Sequence, residues 1–385
     1  NLLRRIRLAH NKHGLYGEEL VIGKAVRDED PGPGIAPVGR GEAHEWISAH
    51  PRAVIGATVW RLQAEFPPDD TSGIDLLVID EASQVKVAEA AIAIRRLKSD
   101  GRLVLAGDHL QLPPIINGTY PDPDPGEPLL HRSVFESIRS ADDAGTCSSI
   151  LLDNFRMCAE LCRVPAERLY VPEYGPANET IAAQRLALDP SSIKDRFIAR
   201  VLEPERPLVV VIIEGVQATG ESVFEADRAA ECAVALREAT DLPDNAAGDR
   251  EFWREHLFVV TPHHVQRRAV IRALEDKRTW HHPPFVDTVD KMQGQEARAV
   301  IVSYGVSDVE LALQEREFIY SLNRLNVAIT RARMKCVVFL PRPLLEPDLE
   351  AFSDDRVSEG IAFIQELPQA ADDLIHLDAR EAPGP

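Results

Sequence analysis

Leu76-Leu-Val-Ile-Asp80-Glu81-Ala82-Ser83-Gln84 is the stretch on which the reading of this chain turns. An apolar run of strand length ends in two adjacent carboxylates. Apolarity without polar alternation marks a strand covered on both faces, hence a parallel sheet. The turn after such a strand is where open α/β sheets bind ligands. Two anions there suit nucleoside triphosphate hydrolysis, in which one helps hold Mg²⁺ through water and the other polarises the attacking water. Asp80 suits the first role and Glu81 the second. The plain alternative is a helix N-terminus decorated with acids, which favour the positive end of the helix dipole.

The next strand-like run strengthens the first reading. Arg102-Leu-Val-Leu-Ala-Gly107-Asp108-His-Leu-Gln111-Leu-Pro113-Pro114 again passes from apolar to a polar turn, and only 28 positions separate Asp80 from Asp108. Gly107 allows a tight exit, and the amide of Gln111 both donates and accepts, so it can read a phosphate or its water. Further short β-branched runs lie at residues 53–59, 207–213, 257–260, 299–303 and 336–340. Helix-like segments at 85–98, 225–239, 265–275 and 325–333 alternate with them. That alternation predicts a doubly wound α/β architecture.

At 385 residues the chain has room for two or three domains of roughly 150 residues each. The punctuated stretch 141–149 is the expected inter-domain linker, and 117–128, rich in Pro, Gly and Asp, is an expected loop. Past Leu340 the strand pattern fades and acids accumulate, so residues 343–385 read as an acidic tail, a peripheral helix or partly disordered. No apolar run approaches the roughly 18 residues of a membrane helix, and no basic-then-apolar leader opens the chain. Five scattered cysteines do not make a disulfide framework and fit a reducing cytoplasm. Cys158 and Cys162, one helical turn apart, suit packing. His263-His264 and His281-His282 lack ligand partners at zinc spacing.

Net charge is −19, which taken alone argues against a nucleic-acid partner. Residues 343–385 supply −9 of it, from eleven acids and two arginines. Between Phe318 and Leu345 there is no acid, while Arg324, Arg331, Arg333, Lys335 and Arg342 are basic. A local basic face binds phosphates whatever the net charge, because salt screens the distant acids.

Three further stretches complete the pattern: Asn154-Phe-Arg156-Met157, Val286-Asp-Thr288-Val-Asp-Lys-Met-Gln293-Gly294-Gln-Glu296, and Asn323-Arg324-Leu-Asn326-Val-Ala-Ile-Thr330-Arg331-Ala-Arg333. Arg324 and Arg331, seven apart, share a helix face. A guanidinium fork suits phosphate oxygens, although a solvated basic helix would carry the same residues. In order, DEASQ, GDHLQLPP, NFRM, TPHHVQ, VDTVDKMQGQE and RLNVAITRAR resemble motifs II to VI of superfamily 1 helicases, branch 1B, the 5′→3′ DNA/RNA helicases of the nonsense-mediated-decay type. The resemblance runs from about residue 53 to 340.

That resemblance implies two RecA-like P-loop NTPase domains, at about 1–140 (incomplete at its start) and 150–342, with ATP and Mg²⁺ in the cleft and a single strand of DNA or RNA across both domains. Asp80 would be the Mg²⁺ carboxylate, Glu81 the catalytic base and Gln111 the γ-phosphate sensor. Arg156 and Arg331 would be arginine fingers. Gly107, Asp108, Gly294, Glu296 and Arg324 would border the nucleotide, with Glu296 near the ribose. Thr58, Pro113, Thr288 and Gln293 would border the nucleic acid, while Gln266 matches a motif position with no role assigned. Motif VI of the family opens with two arginines, whereas Asn323 precedes Arg324 here.

No Gly-rich loop closing on Gly-Lys-Ser/Thr occurs, and Gly23-Lys24 is followed by Ala25. In the family that triphosphate cradle precedes the DEAxQ strand. The expectation is therefore a piece of a longer helicase, whose missing N-terminal part is a partner and whose motifs II to VI alone hydrolyse little ATP. The competing expectation, a non-catalytic nucleic-acid-binding module on a degenerate helicase fold, predicts no nucleic-acid-stimulated ATPase in the whole protein.

Overall fold

Strands form where the β-branched runs lie. The computed structural model describes residues 2–13, 20–25, 32–66, 73–116, 118, 120, 129–142, 145–292 and 294–381. It divides into two compact units, residues 1–109 with 113–148 and residues 110–112 with 149–385. Both are α/β with parallel sheets.

In the first unit, β1 (Ile22–Ala25), β2 (Ala36–Val38) and β3 (Val54–Gly56) make a parallel sheet in the order β2-β1-β3. Gly23 and Lys24 are strand residues of β1, not a phosphate loop. β4 (Ile74–Ile79) and β5 (Leu97–Leu105) pair in parallel, with Val78 against Val104 and Ile79 against Leu105. Successive side chains alternate faces. Leu77, Ile79, Leu103 and Leu105 therefore pack together with Ala82, Ala90 and Val134. The opposite face does not fit the expected two-sided cover: Leu76 is 54% exposed, and Val78 and Val104 are exposed beside it.

The second unit meets that expectation. After the short pair β6 (Asp153–Asn154) and β7 (Gly175–Pro176) come β8 (Leu208–Glu214), β9 (Leu257–Val260), β10 (Val286–Asp287), β11 (Ala297–Ser303), β12 (Ala332–Pro341) and β13 (Asp373–Asp378). These six form one sheet in the order β10-β9-β11-β12-β8-β13, and every pairing is parallel. Val210, Phe258, Val300 and Val338 face one core with the helices Ala159–Arg168, Leu322–Thr330 and Asp355–Ala370. Val209, Val259, Ile301 and Val337 face another with Val223–Glu238 and His264–Lys277. Each such buried side chain contributes about 1.5–3 kcal/mol relative to exposure.

The acidic stretch after residue 342 departs from the expected peripheral tail. The helix Asp355–Ala370 buries Val357, Ile361, Phe363, Ile364 and Leu367. β13 then extends the sheet along β8. Its leading acid is neutralised, since Asp373 accepts hydrogen bonds from Nε and one terminal nitrogen of Arg200, each at 2.8 Å. Those bonds, with a further one from Arg206, hold the Asp373 carboxyl below the usual range against the opposing pull of burial. Sequence acidity was misleading because the matching arginines lie over 160 residues away.

Candidate functional site

In the first unit, chemistry gathers at the carboxyl ends of β4 and β5. Ala106 donates its amide to the Ile79 carbonyl at 2.9 Å, and Ala82 donates to the Ala106 carbonyl at 2.8 Å, so the two turns are stitched together. Gly107 makes this approach possible: a Cβ there would lie 2.8 Å from the Ser83 nitrogen. Among described residues Glu81 is the sole non-glycine with positive φ, at 53°. A residue with a Cβ in the left-handed region costs roughly 1–2 kcal/mol, and such strain collects at functional positions. Glu81 accepts from Gln84 Nε2 at 2.9 Å, and one Asp80 oxygen accepts the Glu81 amide at 3.2 Å. Both carboxylates are exposed.

Asp80 fits a Mg²⁺ ion held through water and substrate phosphates, the usual mode for that ion, because one oxygen is engaged only by a neighbouring amide. Among the described residues no cluster of three His, Cys, Asp or Glu could hold a metal unaided. Thr58, at the start of the helix Val59–Glu65, caps it by accepting the Arg61 amide at 3.3 Å, and Pro113 is exposed.

In the second unit the two arginines collect at the opposite kind of edge. Ala297 opens β11, Ala332 opens β12, and the two are register partners. Glu296 and Arg331 immediately precede them, so both stand at the amino edge of the sheet. Arg156 donates Nε to Glu296 at 2.7 Å and a terminal nitrogen to the Thr330 carbonyl at 2.9 Å. Arg331, only 3% exposed, donates to Gln111 Oε1 at 2.9 Å and to the Gln295 carbonyl at 3.3 Å. Gln111 belongs to the segment 110–112 of this unit, whereas Gly107 and Asp108 belong to the first.

Asn154 aims Arg156. Its side-chain oxygen accepts the Arg156 amide at 2.7 Å and the Met157 amide at 2.9 Å, a local turn that the Asn-Phe-Arg order permits. Gln184 donates to the carbonyls of Arg156 and Arg333, tying this loop to the start of β12. Phe155 between them is 72% exposed.

The carboxyl edge of the same sheet carries different residues. Thr288 follows β10 and, with Pro262, Val302, Phe318 and Arg324, lines a small apolar pocket. Arg324 lies 3.6 Å from Asp290 and 4.3 Å from the Phe318 ring centroid. Arg324 and Arg331 thus share a helix face yet sit near opposite ends of it, about 10 Å apart along the axis. Gly294 adopts φ 71° in the exposed turn before Glu296, and Gln293 lies outside the described residues.

The basic run is not an open phosphate-binding face. Lys335 is fully buried, donates to the carbonyls of Glu203 and Arg206, and is pushed down to about 7 by burial. Arg342 pairs with Glu214 and Glu346. Burial of β12 takes the Lys335 charge out of solvent, whereas Arg342, just past the strand, stays exposed and is engaged by its two carboxylates. Gln266, also fully buried, accepts the Ser222 amide at 2.8 Å and donates to Ser303 at 2.8 Å. Ser303 donates to Glu225, which burial pushes up to about 8. Cys158 and Cys162 are buried as packing residues, all five cysteines are free thiols, and no described helix is long and apolar enough to cross a membrane.

Comparison with known proteins places the chain among relatives. Two family models, each described as an AAA domain, match residues 54–118 and 130–340. A DNA replication ATP-dependent helicase/nuclease of Arabidopsis thaliana is 25% identical over 76% of this chain and 21% of its own length. An uncharacterized ATP-dependent helicase of Methanocaldococcus jannaschii is 28% identical over 71% of this chain and 37% of its own. A DNA polymerase alpha-associated DNA helicase of Schizosaccharomyces pombe is 27% identical over 69% and 37%. The chain therefore spans between about a fifth and two fifths of these relatives. An arterivirus helicase solved with DNA aligns over 88% of this chain and 51% of its own, at 14% identity and TM-score 0.38. The larger family match takes in more than half of the residues, and the chain belongs to the AAA-domain family of superfamily 1 helicase type.

Proposed function

We propose that this chain carries part of the ATP-hydrolysing core of a helicase that moves along a single strand of nucleic acid. The observation that carries the proposal is the collection of Arg156 and Arg331 at one sheet edge, each resting on acceptors that triphosphate oxygens would replace. Asp80 would hold Mg²⁺, Glu81 would take the proton of the attacking water, and Gln111 would read the γ-phosphate. The two arginines would neutralise charge developing on the transferred group, where a guanidinium contributes most. Phe155 offers its ring to a base beside Arg156, since an exposed aromatic stacks on any base. ATP would supply the free energy, and binding differences between nucleotide states would drive the strand.

The relatives' names favour DNA as that strand, with Thr58, Pro113, Thr288 and Gln293 along its path. The 5′→3′ polarity, domains bounded near residues 140 and 150, and a reducing cytoplasmic setting belong to the same proposal. The second domain would take in 343–378 as well, because that stretch completes its sheet. The test is ATP hydrolysis by the whole protein with and without oligo(dT), alongside translocation on strands labelled at either end. Stimulated hydrolysis, abolished by Glu81→Gln, with movement toward the 3′ end is expected. Strand binding without stimulated hydrolysis would favour a binding module instead.

A further inference from the structure

The polar side chains of the helix Leu322–Thr330 that the hydrolysis reading leaves unused converge on one tripeptide. Asn326, 1% exposed, donates its amide to the Leu110 carbonyl at 2.8 Å and to the Tyr170 hydroxyl at 3.1 Å. Asn323, one turn earlier, donates to the Gln111 carbonyl. Arg331, beyond the helix end, donates to the Gln111 side chain at 2.9 Å. Leu112 completes the anchorage by burial in the core that also holds Leu325, Ala328 and Ile329. Asn323 and Asn326 lie one turn apart on the helix and Arg331 caps its end, so a single rigid element presents these donors. Segment 110–112 consequently belongs to the second unit while its sequence neighbours on both sides belong to the first.

We infer that Asn326, assisted by Asn323, is a positioning residue that fixes the backbone at Leu110 and Gln111 so that the Gln111 amide stands against Arg331. Two backbone carbonyls held by amide donors leave the Gln111 side chain little choice of origin. A buried amide donor whose acceptor is removed also loses its bond without solvent to replace it. The inference rests on the proposed hydrolysis only for its kinetic consequence; the anchorage itself is independent of it.

Two measurements separate the two claims. Hydrogen exchange of the Gln111 and Leu112 amides is compared in wild type, Asn326→Leu and Asn323→Ala. Nucleic-acid-stimulated ATPase is measured in the whole protein for the same variants, each with and without Gln111→Ala. Exchange at Gln111 and Leu112 is expected to rise by about tenfold in Asn326→Leu, the scale of one lost hydrogen bond, while β12 stays protected. Turnover falls by a similar factor with the KM for ATP nearly unchanged, and adding Asn326→Leu to Gln111→Ala removes nothing further. Unchanged exchange, or losses that multiply in the double variant, overturns the inference. If Asn326→Leu does not fold, Asn323→Ala, at a half-buried position, carries the same comparison. Absence of ATPase in wild type sinks the hydrolysis reading and leaves the exchange result to decide the anchorage.

Discussion

The two sheets differ in how they are covered and in which edge carries chemistry. β8, β9, β11 and β12 are buried on both faces, whereas β4 and β5 bury one face and leave Leu76, Val78 and Val104 exposed on the other. The first unit places its carboxylates after strands, at the carboxyl edge usual for open α/β sheets. The second places Glu296 and Arg331 before strands, at the amino edge, with Arg156 held beside them. The reason is connectivity: the helix Leu322–Thr330 runs from the Thr288 side back to the start of β12 and delivers Arg331 where it ends. One fold class thus supplies anionic groups from one edge and cationic groups from the other.

The largest expected effect falls on the cationic edge. Arg331→Ala should lower stimulated turnover in the whole protein by about a thousandfold or more, the scale of an arginine finger, with nucleotide affinity changed only a few-fold. Equal losses of binding and turnover would break the assignment. Cover comes next: Val300→Ala in the two-sided sheet should cost about 2–3 kcal/mol in urea unfolding, and Val78→Ala on the exposed face under about 0.5. Similar costs would mean that the exposed face is covered in solution. Gly107→Ala should destabilise the first unit by about 1–3 kcal/mol, through the clash with the Ser83 backbone, read as faster exchange in β4 and β5.

A further effect concerns pH. Burial raises the Glu225 carboxyl to about 8, so between the unfolded value near 4.5 and that point the folded chain holds a proton that the unfolded chain has lost. Stability therefore falls as pH rises through this window and is fully present below it. Glu225→Gln should flatten the decline in melting temperature from pH 5 to pH 8. An unchanged slope would show that Glu225 is ionised in the fold.

How much of this was legible depended on sequence distance. β9 follows its apolar run residue for residue and β4 contains the run quoted for it, because burial needs no partner pattern beyond the run itself. β13 escaped notice since its alternating polar residues, including Asp373 and His376, suit an edge strand and resemble a solvated tail. Asp80, Glu81, Arg156 and Arg331 carry charge and stand in motifs, so the sequence singles them out, and the roles given to them are proposals. Asn154, Gln184, Asn323 and Asn326 could not: a neutral amide signals nothing until its acceptor is known, and Gln184 reaches one carbonyl 149 residues away, Asn326 another 216 away. The basic run misled for the same reason, because the sequence does not tell that Lys335 points into the core.

The proposal's central claim is that Asp80, Glu81, Arg156 and Arg331 serve a single hydrolysis. The direct measurement is single-turnover phosphate release by the whole protein carrying Glu81→Gln, Arg331→Ala or both. Groups that act together on one transition state lose their effect together, so the double variant should be no slower than the worse single variant. Losses that multiply, or a Glu81→Gln variant that still releases phosphate at the wild-type rate, would contradict the account.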